Sequence, residues 1–237
     1  MASIRLVMAM CIQPQGFATV EALLADQQQH LQAVKQLIEE MDVFIFTLGL
    51  TEAWVNTADG SVYPVCPGCG PGEYDEQRYQ FVNYRVHEVI EQLDTAIAFI
   101  QRVNPDCKVI LTVSPVPLAA TMTNTGVMRA TSYSKSVLRI AAEEMFQKWP
   151  QVDYFSSYEV VTQTYNQSTY YQSDKRNVTD FAVDHVMTLF FRYFTQLELE
   201  KAPSEKQPEV SESGNLPLTS VANDDVICDE EKLNLLL

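Results

Sequence analysis

The segment Thr47-Leu48-Gly49-Leu50-Thr51-Glu52-Ala53-Trp54 carries the residue types best suited to chemistry. A glycine closing an apolar run lets a ligand approach the backbone. Thr51, Glu52 and Trp54 follow with a hydroxyl, a carboxylate and an indole. An aromatic ring beside polar groups suits a sugar or another polar ligand. The equally open alternative is a strand-end turn with Trp54 packed as a core plug. Ser114 opens a second loop, Ser114-Pro115-Val116-Pro117. Asp174-Lys175-Arg176-Asn177-Val178-Thr179 reads by itself as a polar loop with Asn177 or Thr179 capping a helix. His185 follows Asp184 in an amphipathic stretch without a serine of its own, the usual setting of a structural histidine. His30 falls mid-helix.

Other familiar signatures fail on inspection. His87-Glu88-Val89-Ile90-Glu91 is half of a zinc-helix motif, with Glu91 where the second histidine belongs. Cys66-Pro67-Gly68-Cys69 has metal-type spacing but no second pair, and it lies in a Pro/Gly loop, not at a helix start after a strand. We read it as a turn carrying two thiols. Nucleophile-elbow, phosphate-loop and dinucleotide fingerprints do not occur. No metal and no cofactor are expected.

The elements that must position these residues follow from periodicity. Thr19 caps a helix starting at Val20, with apolar residues at helical spacing to Ile38. Val43–Leu48 is a short apolar run, the pattern of a strand buried on both faces. Asp59-Gly60 between Trp54–Asn56 and Val62–Val65 predicts a small hairpin. A helix is expected from about Tyr79 to Val103, stopped by Asn104-Pro105. A second buried strand spans Cys107–Val113, a third helix Ser134–Lys148, a third strand Val152–Phe155, and a last helix Thr179–Leu197. Alternating strands and helical crossovers imply an α/β fold with a parallel sheet covered on both faces. Sites in such sheets sit at the strands' carboxyl ends, here residues 49–54, 114–125 and 156–159.

Composition bounds the rest. The 237 residues are 46% hydrophobic and carry a net charge of −15. So acidic a surface disfavours nucleic acid as a partner. No apolar run is long enough for a bilayer span, so no membrane partner is expected. Five cysteines and no signal-like start point to a reduced, cytoplasmic protein. From Glu198 the chain holds ten acidic and three basic residues and no aromatic. We therefore divide it into a domain, 1–197, and an acidic disordered tail, 198–237.

Four segments, in order, resemble one family: FTLGLTEAW at 46–54, VILTVSPVPL at 109–118, TSYSKSVLR at 131–139 and VDYFSSYEVV at 152–161. They look like the GSCFA family, which is similar to the SGNH (GDSL-like) hydrolases. The resemblance implies a three-layer α/β/α sandwich with a mostly parallel, flavodoxin-like sheet. It implies ester hydrolysis, on acyl groups of glycans or lipids. It also implies a serine nucleophile in an N-terminal Gly-Ser-Cys-Phe-Ala block, an oxyanion site, and an Asp-x-x-His base. Gly49 and Thr51 match the oxyanion block. Asp174–Asn177 matches the base block with asparagine in the histidine's place, and neutral Asn accepts no proton at pH 7. The N-terminal block has no counterpart, so the nucleophile and the first strand are expected to be missing, with residues 1–10 a possible substitute for that strand. The expected ligand is an acylated glycan or other small ester. The alternative is a non-catalytic glycan- or protein-binding module. Candidate site residues are thus Gly49, Thr51, Glu52, Trp54 and Ser114 for binding, and Asp174, Asn177 and His185 as the remaining places for a catalytic group.

Overall fold

The computed structural model describes residues 17–69, 73–163 and 169–195. The expected N-terminal strand substitute and the acidic tail lie outside the described residues. The described residues fall into two compact units divided between Val186 and Met187. The candidate residues all belong to the first of these units.

Its elements run in chain order. Helix α1 is Val20–Glu40, capped by the Thr19 hydroxyl, which accepts from the Ala22 N–H as its sequence position predicts. Strand β1 is Val43–Leu48, followed by β2 (Glu52–Asn56), β3 (Val62–Tyr63) and β4 (Tyr79–Asn83). Helix α2 is Val86–Val103, strand β5 Lys108–Val113, helix α3 Val127–Lys148 and strand β6 Val152–Phe155. Two further described helices follow, α4 (Ser157–Thr162) and α5 (Asp180–Phe194).

The strands form two sheets. A parallel sheet has the order β1-β5-β6, and a small antiparallel sheet has the order β3-β2-β4. The parallel sheet is flanked by helices, consistent with a three-layer α/β/α sandwich. One face of β5 presents Val109, Leu111 and Val113. They pack with Leu93 and Ile97 of α2, and with Leu138, Ala141, Ala142 and Met145 of α3. Small alanines at two of these positions let α3 come close to the sheet. On the other face, the Thr112 hydroxyl is 2.7 Å from the Phe155 carbonyl and 2.6 Å from Ser157 Oγ at the start of α4.

Three sequence expectations are corrected. The helix expected from Tyr79 begins at Val86; Tyr79–Asn83 instead pairs antiparallel with β2, Phe81 opposite Trp54. Phe81 and Trp54 pack edge to face at 5.5 Å, an aromatic cross-strand pair, and the helical apolar stripe itself begins only at Val86. Glu88 marks the true helix start by accepting the Arg85 N–H at 2.8 Å. The third helix begins seven residues early, at Val127 with Gly126 as cap, so Ser134 lies inside it. Finally, β1 is not buried on both faces. Ile45 is 51% exposed, and Val43 and Phe46 are exposed too. β1 sits at the margin of the described sheet, whereas central β5 is buried from Val109 to Val113.

This difference predicts unequal stability effects. Leu111→Ala should cost about 2–5 kcal/mol in urea unfolding, as large-to-small changes in a packed core do. Ile45→Thr should cost less than about 1 kcal/mol. Equal losses would contradict the packing described.

Candidate active site

The loop leaving β1 is held from below by helix α3. Ser134 Oγ accepts the Thr51 N–H at 2.9 Å, and the Lys135 ammonium donates to the Gly49 carbonyl at 2.9 Å. Both side chains are 1% exposed. A buried ammonium is tolerated only when its donors meet acceptors, so this lysine ties strand end and helix into one geometry. Thr51 is equally committed. Its hydroxyl donates to Asn83 Oδ1 at 2.7 Å, and its carbonyl accepts the Tyr84 N–H at 2.9 Å. Thr51 thus joins the parallel sheet, the small sheet and α3, and its hydroxyl faces protein. Trp54 is 6% exposed, with Phe81 and Tyr74 edge-on to it at 5.5 Å each. Of the two readings open for Trp54, the packed plug describes its place.

Gly49, Glu52 and Ser114 remain at the strand ends. A Cβ built on Gly49 meets no atom within 4 Å, so open space lies beside this backbone. The Glu52 carboxylate accepts from the Thr121 hydroxyl at 2.6 Å and the Met122 N–H at 3.2 Å. Thr121, Thr123 and Thr125 continue as a chain of hydroxyls spaced 2.8 Å apart. Glu52 therefore couples the loop after β1 to the loop after β5. Ser114 donates its N–H to the Leu48 carbonyl at 2.9 Å, and its hydroxyl accepts the Val116 N–H at 3.2 Å.

Asp174 and Asn177 form one closed turn. Asp174 Oδ1 accepts the N–H groups of Arg176 and Asn177 at 2.9 and 3.0 Å, and its Oδ2 accepts Asn177 Nδ2 at 2.7 Å. Lys175 adopts φ 58°, the left-handed conformation this reversal requires. The Arg176 and Asn177 amides hold the Asp174 carboxyl below the usual carboxylate range, helped by the Asn177 side chain. Tyr171, bridged to Val178 across the turn, donates its hydroxyl to the Pro115 carbonyl at 3.0 Å. The turn is thereby fastened to the carboxyl end of β5. His185 stands apart from the Asp174 turn's hydrogen bonds: its Nδ1 bonds the hydroxyl of buried Tyr170.

Residues 8–190 match the model of the GSCFA family. The chain belongs to the GSCFA family. No curated protein matches it. Of the four segments that carry the resemblance, TSYSKSVLR supplies groups that sequence reasoning left without a role. Ser134 and Lys135 are the loop clamp. Arg139 donates to Glu159 at 2.7 Å and Glu143 at 2.9 Å, and lies 4.1 Å above the Tyr154 ring. The Tyr154 hydroxyl donates to the Glu159 carboxylate in turn. Arg139 thus links α3 to the end of β6. A lysine at helical spacing from Leu138 and Ala142 was the available signal, but only the packing of α3 on the sheet shows that it points inward.

Ser134→Ala would leave the buried Thr51 N–H without its acceptor. It should lower stability by about 1–3 kcal/mol with an unchanged urea slope; a loss under about 0.5 kcal/mol would contradict the clamp. For Asp174, the lowered folded-state value means its contribution is complete at neutral pH and disappears as pH falls through that value. A carboxyl titration followed by NMR should give a midpoint below 3.8 for Asp174, and a midpoint above it would contradict the turn.

Proposed function

We propose that this GSCFA domain binds an acyl ester, such as an acylated glycan, at the carboxyl ends of β1 and β5, and that it does not turn the ester over at enzymatic rates. The reading rests on Asn177. In the related hydrolases this place holds the histidine that removes the nucleophile's proton, oriented by the aspartate three residues earlier. Here Asp174 orients an amide at 2.7 Å instead. An amide Nδ2 is a donor without a basic lone pair, so it can bond a ligand oxygen but cannot take a proton.

The surroundings support binding. Gly49 leaves open space at the strand end. Glu52 and the Thr121, Thr123 and Thr125 hydroxyls supply both donors and acceptors, the complement of a carbohydrate's hydroxyl groups. Ser134 and Lys135 fix the Gly49–Thr51 backbone before ligand arrives, so little ordering entropy is lost on binding. His185 takes no part in this turn's hydrogen bonds; its Nδ1 is bonded to the Tyr170 hydroxyl.

An O-acetylated oligosaccharide titrated into the full chain tests the reading. Protein NMR shifts should saturate, and acetate should appear only at the background rate. Gly49→Leu, whose Cβ meets no neighbour within 4 Å and whose side chain would occupy that space, should weaken binding by about tenfold or more. Acetate release more than about a hundredfold above background would reveal a working base and overturn the non-hydrolytic reading. Absence of saturable binding would overturn the acyl-ester assignment.

A further inference from the structure

The segment Cys66-Pro67-Gly68-Cys69 lies between β3 and β4, and the acyl-ester reading makes no use of it. The Cys69 N–H donates to the Cys66 carbonyl at 2.9 Å, and Gly68 has φ +96°. Proline at the second position and a left-handed glycine at the third define a type II turn. Such a turn brings its first and fourth Cα atoms within about 7 Å. A disulfide requires roughly 4.4–6.8 Å between them. The Cys66 thiol itself points back over the turn, 3.6 Å from the Pro67 carbonyl.

The turn is held in place from outside as well. A Cβ at Gly68 would fall 2.9 Å from the Tyr74 backbone nitrogen, so no other residue fits without displacing that chain. Tyr74 in turn packs on Trp54. The thiols differ in access: Cys69 is exposed, Cys66 is half-buried, and the third described cysteine, Cys107, is buried on its own. Among the described residues, no group of three metal-ligating side chains occurs, so the pair lacks the further ligands a structural zinc needs.

We propose that Cys66 and Cys69 are a redox modification site, closing to an intramolecular disulfide by exchange with a low-molecular-weight disulfide such as oxidised glutathione. The exposed Cys69 loses its thiol proton to water, and the thiolate attacks one glutathione sulfur. The glutathione S–S bond breaks, a protein–glutathione S–S bond forms, and one glutathione thiolate leaves. Cys66 then deprotonates and attacks Cys69 Sγ, expelling the second glutathione thiolate. The protein loses two electrons and two protons, and one oxidised glutathione becomes two reduced ones. Cys66 suits the second step. Burial and the neighbouring Cys69 push its thiol up to about 11, so it is a slow first attacker. Once Cys69 is capped, the repulsion between two thiolates is gone and its sulfur is adjacent.

The test uses the reduced full chain incubated with oxidised glutathione, quenched in acid, alkylated under denaturing conditions and mapped by peptide mass. The peptide holding Cys66 and Cys69 should lose both alkylation sites and two hydrogen atoms, and dithiothreitol should restore both sites. In Cys66→Ser, Cys69 should accumulate as a stable glutathione adduct. In Cys69→Ser, Cys66 should react about tenfold more slowly than Cys69 does in Cys66→Ser. A wild-type chain whose two cysteines stay fully alkylated, or which stops at the Cys69 adduct, would overturn the disulfide. Equal rates in the two variants would overturn the assigned order of attack.

Discussion

The buried pair Ser134–Lys135 constrains everything above the sheet. Helix α3 packs its small and apolar residues on β5, which leaves Ser134 and Lys135 beneath the end of β1. An ammonium and a hydroxyl buried there need partners, and they bond the carbonyl of Gly49 and the N–H of Thr51. The requirement is mutual. A strand-end loop has backbone groups that the ladder no longer satisfies, and these two side chains satisfy them. Core packing is thereby converted into a fixed loop geometry.

From that loop, order passes outward by hydrogen bonds. Thr51 carries it to Asn83 and Tyr84, and so to the small antiparallel sheet. Glu52 carries it to the threonine-rich loop after β5. Ser114 returns to the Leu48 carbonyl, and Tyr171 fastens the Asp174–Asn177 turn to Pro115. The result is a polar strand-end assembly built mostly from neutral groups on loops, with a rigid parallel sheet behind it. That division of labour is common in α/β proteins: the sheet supplies position and the loops supply chemistry. In the Asp174–Asn177 turn the group beside the carboxylate is an amide. The turn keeps the donor–acceptor geometry of an aspartate orienting its partner, yet the partner is one that does not titrate.

A short helix beyond β6 shows the same economy on the opposite face. Thr112, Ser157 and the Val113 carbonyl form a buried hydroxyl cluster, so α4 begins in a satisfied environment. Arg139, Glu143, Glu159 and Tyr154 add a half-buried network between α3 and the end of β6. Charge-assisted bonds of this kind fix orientation more than they add stability.

By itself the sequence determined the parallel sheet, because β1 and β5 read as apolar runs and β6 as a short strand, separated by helical periodicity, and local patterns of that kind need no distant partner to be read. It also determined the Thr19 cap and the turn at Gly60, where φ is +73°. The site residues were legible as types: a glycine at a strand end, a carboxylate beside it, and an asparagine three residues after an aspartate. Their directions were not. Thr51 and Trp54 face inward because Asn83 and Phe81 lie on β4, a strand whose existence depends on pairing with β2. Lys135 is buried because it lies on the face of α3, with Leu138 and Ala142, that packs against the sheet. The apolar residues of β1 are exposed because β1 lies at the margin of the described sheet, a matter of strand order that no local window contains. Burial and side-chain direction arise from contacts between residues far apart in the chain, so only the tertiary structure could decide them.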